Sequence, residues 1–166
     1  MQTYEKFGKL LAGELNKDIA DFDHLFSEGY FKIDKVSALK EWAYFNMFMV
    51  FQGISAYFKN IDEHKGHRLI DAFHDACWDI FANNGIFANS DEFMEMLLLR
   101  YAAYSNALKD SRKPNPLHWL GKEFCKRCGY EEGLNPRIIM FAITLFTRVS
   151  IANKNFLKSI SIEKQL

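Results

Sequence analysis

The sequence predicts an all-α protein. It reads as a single-domain multi-helix bundle of about six to seven helices, with a central apolar helix (about 34–60) packed on the C-terminal helix (about 136–160). Three observations predict this. Val and Thr occur three times each among 166 residues, too few β-branched residues for a sheet protein even with 13 Ile. Turn-formers are scarce: the three prolines sit at 114, 116 and 136, and nine residues are glycine, while hydrophobic residues make up 49% of the chain. Those hydrophobic residues recur three or four apart over long stretches, the spacing of one helix face.

The first helix is expected from about Thr3 to Asn16, with Tyr4, Phe7, Leu10, Leu11 and Leu15 in phase. Asp18 to Phe26 reads as a short second helix, broken by Ser27-Glu28-Gly29. Asp34 is a natural N-cap for the third, which runs to about Asn60. Its stretch WAYFNMFMVF, Trp42 to Phe51, is apolar on every side, and such a helix has to be enclosed on every side. The fourth, about Asp62 to Asn83, is amphipathic: Leu69, Ile70, Phe73, Ala76, Cys77, Ile80 and Phe81 share one face, and Asn83-Asn84-Gly85 stops it. The fifth begins after Asn89, with Glu92 placed to complete a capping box and Phe93, Leu97, Tyr101, Tyr104 and Leu108 as its stripe. After the polar loop KDSRKPN, Asn115-Pro116 and Asn135-Pro136 open the sixth and seventh helices, since proline at the first helical position gives up an N–H that has no partner there. The sixth ends at Cys128-Gly129. No repeat or linker divides the chain, so residues 1–166 are expected to form one domain.

Charge narrows the function classes. Lys+Arg and Asp+Glu are 21 each, and the most basic cluster, Lys122, Lys126 and Arg127, is interrupted by Glu123, so no nucleic-acid partner is expected. The longest uncharged stretch, Trp42 to Phe58, carries Asn46, Gln52, Gly53 and Ser55 and falls short of a membrane span. The N-terminal residues show no basic stretch followed by an apolar one, so no secretory signal is expected, and three cysteines fit a reduced, cytoplasmic setting.

Four constellations could carry chemistry. His64, His67, Asp71 and His74, with Asp75 beside them, fall within about 100° of the fourth helix, so neighbouring pairs could share a divalent metal. That face lies opposite the apolar one and is equally the solvated side of an ordinary surface helix. Otherwise no cofactor is expected. Cys125 and Cys128 form a lone CxxC at the C-terminal end of a helix, the wrong end to lower a thiol pKa, which favours packing. Glu41, Arg100 and Arg148 interrupt apolar runs; each needs a partner or water, and Glu41 pairing with Arg100 or Arg148 would fix helix register. The same three could instead hold a ligand at the mouth of an aromatic cavity between the third, fifth and seventh helices. Trp42, Phe45 and Met49 exceed what a chain of this size easily covers, and they are the candidate interface of a homodimer, with Phe7, Tyr30, Phe31 and Phe87 as further exposed contacts.

His74-Asp75 resembles the doublet of HD-type metal phosphohydrolases, which implies hydrolysis at a metal centre. The earlier histidines stand on the same helix and not on a separate one, so the pattern departs from that family's. The usual nucleotide-binding and hydrolase motifs do not occur. The first expectation is therefore a non-enzymatic, soluble protein–protein interaction module acting as a homodimer or with another protein partner. The alternatives are a small apolar-ligand or lipid-binding protein, and a metal-binding, hydrolytic one.

Overall fold

A computed structural model describes residues 2–110, 112 and 114–166. The chain forms α1 (Gln2–Ile19), α2 (Phe22–Ser27), α3 (Lys35–Phe58), α4 (Glu63–Asn83), α5 (Ser90–Lys109), α6 (Pro116–Arg127), a 3₁₀ turn (Glu131–Gly133), α7 (Pro136–Ser159) and α8 (Ile162–Gln165). It is an all-α bundle, as the composition requires. Among the described residues, no helix is long and apolar enough to cross a membrane.

The helix starts obey local chemistry. Asp34 accepts from the Ser37 amide at 3.0 Å and Asp62 from the Lys65 amide at 3.1 Å. Asn89 accepts from the Glu92 amide at 2.8 Å, Asn115 from the His118 amide at 3.4 Å, and Asn135 from the Arg137 and Ile138 amides. The capping box at α5 is only half made: the Glu92 carboxylate turns to Lys40 on α3, 2.7 Å away, a stronger partner than an exposed backbone amide. The first two helices divide later than expected. Residue 18 continues α1, whose buried stripe runs on from Leu15 to Ile19, and α2 starts at Phe22. The 3₁₀ turn and α8 are too short to leave a periodic signal.

α3 is the axis of the bundle. It packs on α1, α2, α4, α5 and α7; α1 lies mainly on α4, and α6 bridges α5 and α7. Every residue from Glu41 to Val50 is buried. The central apolar helix does pack on the C-terminal one, and a glycine sets their approach: a Cβ at Gly53 would lie 2.9 Å from the Cβ of Asn153 on α7. Gly129 (φ +90°) ends α6 in a conformation L side chains avoid, which lets the Lys32 amide reach the Cys128 carbonyl at 2.7 Å.

Trp42, Phe45 and Met49 are 2%, 0% and 0% exposed within one chain. This corrects their assignment to an interface. Phe124 stacks on Phe45 at 4.2 Å between ring centroids, and Phe124 and Phe141 both lie against Trp42. The chain's own aromatic side chains cover α3. Phe7, Phe31 and Phe87 are buried for the same reason, and Tyr30 is half-buried against Phe141.

Candidate functional site

Four sets of residues bear on function, and the fold treats each differently. The first is a buried polar knot between α3 and α5. Glu41, 4% exposed, sits one turn before Phe45 and so faces α5. The Arg100 Nε donates to both carboxylate oxygens at 2.7–2.8 Å, and the Tyr104 hydroxyl donates to Oε1 at 3.0 Å. Burial pushes the Glu41 carboxyl up; Arg100 and Tyr104 pull it back, and burial prevails. Burial, reinforced by the Glu41 charge, also holds the Tyr104 phenol well above its ordinary range. All three groups are occupied with one another, so the knot fixes the register of α5 on α3 and offers no free charge to a ligand.

Arg148 is not part of it. It is exposed on α7, and its charge acts on Asp18 of α1, whose carboxyl burial raises and Arg148 lowers. The space expected to form a ligand cavity between α3, α5 and α7 is filled: the Phe48 ring lies 5.6 Å from Tyr101, 5.2 Å from Tyr104 and 6.4 Å from Phe146. Glu41 and Arg100 thus come together as a structural pair, and the proposed mouth does not form around them.

The second set is on α4, where the fold separates the four candidate metal ligands. His64, His67 and Asp71 are exposed, but His74 is half-buried, its Nε2 3.0 Å from the Tyr101 hydroxyl. Burial pushes the His74 imidazole down to about 4, so it is neutral at pH 7. Asp71 lines a cleft of about 420 Å³ against α1, together with Asp75 and Arg68, whereas His67 lines a different cleft beside α3 and α5. The His-Asp doublet splits accordingly, His74 towards α5 and Asp75 towards α1. Among the described residues, no three His, Cys, Asp or Glu side chains are grouped so as to hold a metal ion. An arc of about 100° is wide enough for α1 and α5 to claim its two edges. That is why side chains in phase on the helix do not converge in space.

Cys125 and Cys128 are both free and fully buried at the end of α6. Burial pushes both thiols up, that of Cys128 most strongly, and the Cys125 Sγ donates to the Asn135 carbonyl at 3.8 Å. An inert, packed thiol pair is what these surroundings produce.

The fourth set is a surface, and sequence reasoning missed it. Along the outside of α7, Met140 and Ile151 are 59% and 56% exposed, Ile143 is half-buried, and Thr144 and Thr147 are exposed between them. The positions 140, 143, 144, 147 and 151 share one face, and that face carries no charge. At its upper end, Leu134, Pro136 and Met140 line an apolar groove of about 270 Å³ against His118 and Lys122 of α6. The signal lies in the sequence as apolar and hydroxyl residues at helical spacing with no charge among them. α5 also exposes Met94, Leu98 and Leu99, with Glu95 projecting between Leu98 and Leu99 around the helix. Searches against family models, curated proteins and solved structures give no match to this chain.

Proposed function

We propose that the chain is a non-enzymatic protein–protein interaction module that acts as a homodimer, with the outer face of α7 docked against α7 of a second copy. The observation that carries this reading is the uncharged stripe from Met140 to Ile151, about 16 Å long at helical rise. Charge placement favours a second copy in antiparallel orientation. A two-fold axis between Thr144 and Thr147 sets Met140 against Ile151 of the second copy and brings Lys158 towards its Glu132. Lys158 and Glu132 are exposed and have no ion-pair partner among the described residues. Arg137, which would meet Lys154, is already held 3.6 Å from Glu28 and over the Tyr30 ring. Three free, buried cysteines support a reducing, cytoplasmic setting for the assembly.

Light scattering on a size-exclusion column tests the reading. The parent should elute at twice the chain mass at micromolar concentration. Met140→Glu/Ile151→Glu should elute at the chain mass with an unchanged far-ultraviolet circular dichroism spectrum. A monomeric parent, or a variant that stays dimeric, overturns it.

A further inference from the structure

We propose that the cleft between the ends of α3 and α5 and the first two turns of α4 binds a small organic anion, its apolar body on Phe51 and Ile70 and its head group at Lys59 and Lys109. The cleft measures about 440 Å³ and lies on the opposite side of α4 from the α1 cleft. This is within the range of roughly 300–1,000 Å³ typical of small-molecule sites.

Its floor is built in advance. The Phe51 ring rests on Tyr101 at 4.7 Å, and Gly66 allows α4 to close on α3 just below, where a Cβ would lie 2.8 Å from the Cβ of Phe58. Its walls are polar and unused. Gln52 and Ser55 project from α3 and Ser105 from α5; all three are half-buried, and none has a hydrogen-bond partner among the described residues. A carboxamide and two hydroxyls from two helices line the one cleft and offer donors to a ligand's acceptors.

The sign of the charge follows from comparison with the other clefts. Lys59 and Lys109 are both exposed on the rim and form no ion pair among the described residues; Glu63 opposes them, and His67 adds a ring nitrogen. In the α1–α4 cleft, Arg68 is stacked 4.3 Å over Tyr4 and three aspartates line the wall. In the α5–α6 cleft, Arg127 is tied to Glu123 and Lys122 lies over Trp119, and Asp110, Glu123 and Glu132 offset the charge of these two and of Lys126. Lysines at the ends of α3 and α5 also relieve the helix dipoles, which accounts for their place in the chain but not for the amide and hydroxyls gathered beneath them. None of these residues belongs to the outer stripe of α7, so the proposal stands or falls independently of dimer formation.

The test is a titration of the ¹⁵N-labelled chain with phenyl phosphate, followed by heteronuclear NMR. Phenylacetate serves as the carboxylate counterpart, and inorganic phosphate and benzyl alcohol serve as the head and body alone. Saturable shifts are expected at the Ser55, His67 and Ser105 amides for one or both organic anions, with head and body each weaker by about tenfold or more. Lys59→Ala/Lys109→Ala should lose about tenfold in affinity, and Ser105→Phe, which fills the cleft, should abolish the shifts with both lysines in place. No saturable shift at millimolar ligand, shifts centred on the α1–α4 cleft, or an unaltered affinity in the double lysine variant overturns the proposal. So does benzyl alcohol or phosphate binding as tightly as the organic anions.

Discussion

α3 and α7 are both 24 residues long, both mainly apolar, and packed on each other. They end in opposite situations. α3 has neighbours on every side, and every residue from Glu41 to Val50 is buried. α7 is covered on one side and leaves Met140 and Ile151 open on the other. The difference teaches that apolar content alone does not say which helix seeks a partner. A helix with no polar face recruits its own chain first, because five other helices are tethered within reach and a second copy is not. The open apolar surface then lies on the helix with fewer neighbours.

The contrast is broken most directly by truncating one residue on each helix. Phe45→Ala should cost about 3–5 kcal/mol in urea unfolding, since the ring is fully buried against Phe124 and Tyr104. Ile151→Ala, measured on dilute monomer, should change stability by no more than about 0.5 kcal/mol. Equal losses would mean that the two helices are not enclosed differently.

The next largest effect concerns the charge carried inside the sheath of α3. Arg100→Leu leaves the Glu41 carboxyl buried with Tyr104 as its hydrogen-bond donor and only the more distant charge of Arg127 to offset it, and should cost about 3 kcal/mol near pH 8. The sign of its pH dependence identifies the cause. A carboxyl whose folded pKa is raised binds its proton more tightly in the folded state, so the variant loses stability as pH rises above about 4. A deficit that fails to shrink on acidification would place the damage in packing and not in the stranded carboxylate.

The smallest effect sharpens the comparison on the α5 flank. His74 is pushed down to about 4 by burial, against an ordinary value of 6.5. The unfolded chain therefore takes up a proton at this site between pH 6.5 and 4 while the folded chain does not. Stability is fully present above pH 6.5 and is lost as the pH falls towards 4, by roughly 2–3 kcal/mol. His74→Gln keeps a hydrogen-bonding group for Tyr101 and should remove this acid sensitivity. The same slope in parent and variant would assign it to another group.

How much of this was legible in the sequence depended on how local the cause was. The Asn-Pro starts of α6 and α7 were legible because a cap and a proline act within one turn. Glu41 stood out because a carboxylate one turn from Phe45 has to find a cation, and both candidate arginines were visible; which of them it takes depends on where α5 and α7 lie. The His64, His67, Asp71 and His74 face was legible as a face and misleading as a site. Spacing along α4 says nothing of the α1 cleft that Asp71 lines or of Tyr101 drawing His74 inwards. The cleft at Lys59 and Lys109 left no trace, since it joins the ends of two helices separated by the whole of α4.

The enclosure of α3 also bears on how the chain is made. The rings that cover Trp42 are Phe124 and Phe141, roughly 80–100 residues further along. During synthesis the most apolar segment leaves the ribosome well before its cover, with only α1, α2 and then α4 and α5 to shield it. The early half of the molecule therefore keeps apolar surface open until the late half arrives to cover it.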